Sequence, residues 1–177
     1  MTEAAAPRRP GTAAGGPGTA AGPGEEELSA GDLKSLGNEA YRRGDVRTAV
    51  DLWDRALRCH VEGMQRPVGP GDGGGGGSPV LGADSVELER ALYLNLAQGH
   101  LKLGDPRRAL RACSAVLQQR RDDEKARYRA AEACLALGRL DEAARLLSGL
   151  LEAEPHPQAA ALLQRVRAER LAEARRE

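Results

Sequence analysis

The chain has 177 residues and a formal net charge of zero, because 26 lysines and arginines balance 26 aspartates and glutamates. A general nucleic-acid or membrane-surface binder needs an excess of cations, so this balance argues against both partners. Aromatic residues make up only 2% of the chain, which disfavours a β-sandwich. Outside two glycine-rich stretches the chain is rich in Ala, Leu, Arg and Glu, so we expect an all-α protein.

Two segments have the composition of unstructured chain. Residues up to about Gly24 are mostly Ala, Gly, Pro and Thr, which bury too little apolar surface to offset their backbone entropy. We therefore predict a disordered tail over residues 1–27. The segment from Pro67 to Gly82 contains an unbroken glycine run from Gly73 to Gly77 and predicts a flexible loop.

Elsewhere, apolar residues recur at helical spacing. Ser29, followed three residues later by Asp32, is typical of a capping box that opens a first helix, which ends at Gly44. The same periodicity predicts six more helices, over about Val46–Leu57, Leu92–Leu103, Ala109–Leu117, Asp123–Leu137, Leu140–Leu151 and Gln158–Glu177.

Three glycines mark the turns that join these helices in pairs. Gly104 and Gly138 are 138 − 104 = 34 residues apart, whereas Gly44 and Gly104 are 60 residues apart, which is one such period plus an insertion of 26. A 34-residue period with two helices per unit is typical of tetratricopeptide repeats. Small residues stand seven positions before and five positions after each glycine, where paired helices must approach closely: Gly37, Ala97, Ala131, Ala49, Ala109 and Ala143.

The predicted fold is therefore a right-handed α-solenoid of three tetratricopeptide helix-turn-helix repeats with a C-terminal capping helix. We place the domain at residues 28–177, with repeats at about 29–62, 85–121 and 122–154. The glycine-rich insertion is placed at about 63–84 and the capping helix at about 156–176. Each repeat buries its apolar face only against its neighbours, so three repeats and a cap are close to the minimum stable array.

Five polar residues are expected to project into the groove lined by the first helix of each pair. Lys34 and Asn38 are four residues apart and share a helix face, as do Lys125 and Arg129. Asn95 lies on the corresponding helix of the second repeat. These side chains are hydrogen-bond donors suited to an anionic, extended ligand, because charge-assisted hydrogen bonds to carboxylates are about twice as strong as neutral ones.

Three motifs resemble the two-carboxylate clamp of tetratricopeptide co-chaperones: Lys34-x-x-Gly37-Asn38, Leu94-Asn95-Leu96-Ala97 and Lys125-x-x-x-Arg129. The resemblance implies that the five polar residues grip the C-terminal carboxylate and the aspartate side chain of a Glu-Glu-Val-Asp tail. Such tails end the cytosolic heat-shock chaperones of the seventy- and ninety-kilodalton classes. The segment from Leu94 to Leu103 is also similar to the second repeat of FKBP-type immunophilins.

This resemblance implies a co-chaperone or adaptor that is not an enzyme. Three widely spaced cysteines, no secretory segment and no apolar run long enough to span a bilayer predict a cytoplasmic protein. A monomer is expected, although the sequence leaves the oligomeric state open. The three histidines and three cysteines have no metal-ligand spacing, so no metal or cofactor is expected. Two alternatives stay open. The chain is a scaffold for an unrelated protein partner, or it is the docking part of an FKBP-type prolyl isomerase whose catalytic domain is absent here. The sequence leaves open which chaperone is bound and what the insertion does.

Overall fold

The computed structural model describes residues 28–65, 83–153 and 155–176, which form seven α-helices and, within these ranges, no strand. In chain order the helices are α1 (Ala30–Arg42), α2 (Val46–Gln65), α3 (Ala83–Lys102), α4 (Pro106–Gln119), α5 (Glu124–Ala136), α6 (Leu140–Ala153) and α7 (Pro157–Ala174). The predicted all-α class is confirmed. None of these helices is long and apolar enough to cross a bilayer. The predicted disordered tail and the predicted flexible loop both lie outside the described residues.

The predicted helix boundaries have the expected local chemistry. The Ser29 hydroxyl accepts a hydrogen bond from the Asp32 backbone N–H, and the Asp32 carboxylate accepts one from the Ser29 backbone N–H, as a capping box requires. Three described residues have positive φ, and they are the three turn glycines, Gly44 (88°), Gly104 (73°) and Gly138 (72°). Side chains rarely tolerate this left-handed conformation, so each glycine ends a helix sharply and starts the hairpin.

The helices of each pair pack against each other at the six small residues that lie seven positions before and five positions after the turn glycines. All six are buried, and each helix packs against the next along the chain. Among the described helices, α1 also packs against α3, α3 against α5, and α5 against α7, whereas α2, α4 and α6 pack only against their chain neighbours. The odd-numbered helices therefore form the tighter layer of the array, and the predicted site residues all lie on this layer.

Two helices extend about two turns beyond their predicted bounds. Helix α3 begins at Ala83 rather than Leu92, and α2 continues to Gln65, so each has 20 residues where α4 has 14 and α5 has 13. Part of the insertion is thus helical. The buried Ser85 joins the extensions, because its hydroxyl lies 3.1 Å from His60 Nε2 and 3.5 Å from the Met64 sulfur. The stretch before Leu92 has few apolar side chains, so it gave a weak periodic signal.

Two cysteines behave as packing residues. Cys113 and Cys134 are buried between helices, and Cys59 is exposed. Burial raises the pKa of the Cys113 thiol to about 12 and that of Cys134 to about 11. Both thiols are therefore neutral at pH 7 and contribute to the core as small apolar groups.

Candidate functional site

A cavity of about 420 Å³ opens on the layer formed by α1, α3 and α5. Three of the five predicted binding residues line it, namely Asn38 from α1, Asn95 from α3 and Arg129 from α5. The other lining residues are Tyr41, Arg42, Trp53 and Gln98. One polar side chain from each of three helices therefore reaches a common space that is large enough for the end of a peptide.

The two asparagines meet although 57 residues separate them in the chain. Asn95 Nδ2 donates a hydrogen bond to Asn38 Oδ1 at 2.9 Å, and Trp53 Nε1 donates to the same oxygen at 3.2 Å. A carbonyl oxygen has two lone pairs, so this oxygen is satisfied. Within the described residues no acceptor is bonded to Asn38 Nδ2, so both of its N–H bonds are available to a ligand.

Arg129 is held against the neighbouring helix. Its Nε donates to Gln98 Oε1 at 3.0 Å, and its Nη1 donates to the backbone oxygen of Leu94, also at 3.0 Å. A guanidinium has five N–H donors in a rigid plane, so these two bonds fix its position and leave three donors for other acceptors. A half-buried cation that is already oriented loses little side-chain entropy when it binds a carboxylate.

The three helices that line the cavity run parallel. Asn38 contacts Asn95, and nearer the C-terminal ends of both helices Lys102 Nζ lies 5.1 Å from the centre of the Tyr41 ring. Tyr41 is about one turn after Asn38, and Lys102 is about two turns after Asn95. In the same way, Asp123 is paired with Arg90 near the start of α5, whereas Arg129 reaches Leu94 and Gln98 further along α3. Because α1 and α5 run in the same direction, a residue that precedes Asn38 on α1 and a residue that precedes Arg129 on α5 lie toward the same end of the groove.

The two predicted lysines do not line the cavity. Lys34 is half-buried on α1, one turn before Asn38, and Lys125 is exposed on α5, one turn before Arg129. Each is therefore displaced by about 6 Å along its helix, toward the same end of the groove. Lys125 lines a second, smaller cavity of about 290 Å³ beside the Arg90–Asp123 ion pair.

Four residues that line the cavity were not predicted as site residues from the sequence. Trp53 is a core residue with 2% exposure, but it also lines the cavity, and its N–H donates to the Asn38 side-chain oxygen. Tyr41 and Gln98 lie three residues after Asn38 and Asn95, and this helical spacing is a signal that would have found both. Arg42 lies four residues after Asn38, so the same helical spacing would have found it as well.

A carboxyl group lies close to Arg129 on the same helix. Glu132 is half-buried one turn after Arg129, and burial raises the pKa of its carboxyl, against the opposing effects of a hydrogen bond with Tyr128 and the positive charges of Arg129 and Arg165. When the pKa of a carboxyl is higher in the folded state than in the unfolded state, ionisation of that carboxyl lowers the free energy of unfolding of the protein. Its negative charge also offsets part of the positive charge of the site.

Replacing Glu132 with glutamine is therefore expected to raise the melting temperature at pH 7, because the amide carries no charge to desolvate. The difference should vanish below about pH 4, where the glutamate is protonated. Thermal melts at both pH values measure this, with Glu169→Gln on the exposed side of α7 as the control that shows no gain. A Glu132→Gln protein less stable than the parent at pH 7 would contradict the assignment.

Sequence comparison relates the chain to a known repeat family. Residues 100–166 match the sequence profile of the tetratricopeptide repeat. The human FK506-binding protein-like is 31% identical over 136 residues, which are 77% of this chain and 34% of that protein. The chain thus spans about a third of the length of the curated relatives that it matches.

Solved structures show the same fold. The C-terminal domain of an FK506-binding protein of Plasmodium falciparum, which contains tetratricopeptide repeats, aligns with a TM-score of 0.69 and 25% identity, covering 84% of this chain and 92% of that one. The first tetratricopeptide domain of Spaghetti (RPAP3), solved with the HSP90 peptide SRMEEVD, aligns with a TM-score of 0.61 and 23% identity, covering 81% and 94%. Both similarities confirm the all-α repeat architecture.

Proposed function

We propose that this chain, which contains a tetratricopeptide repeat domain, docks the acidic C-terminal peptide of a cytosolic heat-shock chaperone of the seventy- or ninety-kilodalton class. The observation that carries the proposal is the meeting of Asn38, Asn95 and Arg129 in one cavity, with N–H donors from three helices facing the same space. A carboxylate is the ligand that such a set of donors prefers, because each of its oxygens accepts several hydrogen bonds.

The terminal carboxylate of the peptide occupies the cavity in this proposal. Asn38 contributes two N–H donors and Arg129 three, and the guanidinium supplies the positive charge. The solved neighbour that holds an HSP90 peptide supports a groove of this kind, since its fold matches over 94% of its length. The partner itself is inferred from the clamp motif, because the overall identity to that neighbour is low.

Lys34 and Lys125 would act one turn outside the cavity. They stand on the two helices that flank α3, toward the same end of the groove, so a bound peptide brings its next carboxylate within reach of their long side chains. An ammonium group on a four-carbon stem can move to meet a charge, which suits a position with looser geometry than that of Arg129. Lys125 should contribute less than Arg129, because it is exposed and exposed ion pairs are worth about 0.2–1 kcal/mol. Lys34 is half-buried but lies outside the cavity, so its contribution should also be smaller than that of Arg129.

The chain would then be a non-catalytic adaptor that acts in the cytoplasm as a monomer. Fluorescence anisotropy with a labelled Met-Glu-Glu-Val-Asp peptide tests the proposal, with the C-terminally amidated peptide as the matched control. We expect micromolar affinity for the free acid and at least about tenfold weaker binding of the amide, since the amide removes one charge-assisted contact. If neither peptide binds, the groove holds no acidic tail and the chain is a scaffold for another partner. Acceleration of a prolyl isomerisation assay above background would contradict the non-catalytic role.

A further inference from the structure

Trp53 is the only tryptophan of the chain, and its side chain projects from α2 into the space between α1 and α3. A Cβ atom added at Gly37 would lie 2.5 Å from Trp53 Nε1, and one added at Gly99 would lie 3.2 Å from Trp53 Cζ3. The Tyr41 ring packs beside the indole at a centroid distance of 5.6 Å. A side chain at Gly37 would therefore collide with the indole, and one at Gly99 would collide first with Val50 and then press on the indole, which is 2% exposed.

The fixed indole determines how the Asn38 amide is oriented. An indole N–H can donate a hydrogen bond but cannot accept one, so the Asn38 atom that faces it must be the oxygen. The nitrogen of Asn38, with its two donors, is then on the opposite side. The Asn95 atom that faces the same oxygen must in turn be its nitrogen. One N–H group therefore sets the orientation of both amides.

We propose that Trp53 is a positioning residue of the carboxylate site, which holds the Asn38 amide so that its N–H donors point to the bound carboxylate. This inference rests on the proposed function of the groove. A flipped amide would present its oxygen to the carboxylate, and two acceptors repel each other. With the indole N–H in place, the flipped state is disfavoured before the ligand arrives, because the amide nitrogen and the indole nitrogen would both be donors.

A tryptophan analogue tests this inference with little change of shape. In β-benzothienylalanine a sulfur atom replaces the indole N–H, and because the chain has one tryptophan, biosynthetic replacement changes only this position. We expect the affinity for the free-acid Met-Glu-Glu-Val-Asp peptide to fall about tenfold, while the affinity for the amidated peptide changes little. A packing role alone would lower both affinities equally or leave both unchanged.

A second variant keeps an acceptor for the Trp53 N–H but removes the two N–H donors of the Asn38 side chain. Asn38→Asp retains an oxygen for Trp53 but replaces both N–H bonds with a second oxygen, so binding of the free acid should be lost while Trp53 fluorescence stays that of the parent protein. In the unmodified protein, the ¹H–¹⁵N resonance of Trp53 Nε1 should shift on addition of the free-acid peptide and stay in place with the amide. This resonance decides the question even where the analogue protein does not fold.

The outcomes separate the two proposals. If the unmodified protein binds neither peptide, the proposed function fails, and the positioning role fails with it. If the unmodified protein prefers the free acid but the benzothienylalanine protein shows the same affinity and the same preference, only the positioning role is overturned. The same holds if the Trp53 Nε1 resonance does not respond to the free acid.

Discussion

Replacing Arg129 with alanine is expected to weaken binding of the free-acid peptide about 30-fold or more. Truncating one partner of a desolvated charge pair costs about 2–5 kcal/mol, and Arg129 is half-buried and already oriented by Gln98 and the Leu94 carbonyl. The loss is large because the other cation that lines the cavity, Arg42, is exposed and interacts more weakly with a carboxylate. Anisotropy titration of the variant measures it.

Two matched variants separate the charge from its geometry. Arg129→Lys keeps the positive charge but loses the planar fork, so an intermediate loss is expected. Arg127→Ala removes an arginine from the same helix whose Nε instead donates to the Arg121 backbone oxygen at 2.8 Å, and it should leave affinity unchanged. Thermal melts show whether the loss of the α3 contacts of Arg129 lowers stability.

Peptide variants identify the carboxylate that Arg129 holds. Each arginine variant is titrated with peptides in which either the terminal carboxylate is amidated or the final aspartate side chain is changed to asparagine. If Arg129 contacts one of these groups, the two losses in that double-mutant cycle will not add, because either change removes the same interaction. Additive losses in both cycles would mean that Arg129 acts on neither carboxylate, and the clamp assignment of this residue would be wrong.

The second large effect is expected on stability, from Asp123→Ala. The Asp123 side chain is 1% exposed, caps α5 by accepting the Ala126 backbone N–H at 2.8 Å, and pairs with Arg90 from α3. Its removal leaves Arg90 with Glu87 alone and deprives the Ala126 backbone N–H, in the first turn of α5, of its capping acceptor. Breaking a buried ion pair costs about 3–5 kcal/mol, and Arg90 is partly exposed, so we expect about 3 kcal/mol. Urea unfolding measures this loss.

Asp105→Ala is the matched control for this change. Asp105 caps α4 in the same way, by accepting the Arg108 backbone N–H at 3.1 Å, but its ion pair with Arg108 is exposed. The Asp105→Ala change should lower the free energy of unfolding by about 1 kcal/mol, which is the typical contribution of a helix N-cap. Equal losses for the two variants would show that the Arg90–Asp123 pair adds nothing beyond capping. Asp123→Asn, which keeps a capping oxygen without the charge, should lie between them.

The repeat architecture could be read from the sequence because it depends on local patterns. A 34-residue period, three turn glycines and six small residues define where each helix pair turns and where its helices touch, and all of these positions behave as predicted. The capping box at Ser29 is equally local. The predicted start of α3, at Leu92, lies nine residues after the observed start at Ala83. The residues in between have little apolar periodicity, and the buried Ser85 among them contacts His60 near the end of α2.

The site depended on contacts that no local pattern encodes. Helix spacing placed Asn38, Asn95 and Arg129 on the correct helices, but only the packed array shows that Asn95 donates to Asn38 across an insertion and that Arg129 turns toward the Leu94 carbonyl. It also leaves the two lysines a turn outside the cavity and brings the Trp53 N–H to the Asn38 side-chain oxygen. Periodicity fixes the face on which a side chain lies. Which groups it then meets depends on how separate helices align in space, and that alignment is set by side-chain packing across the whole domain.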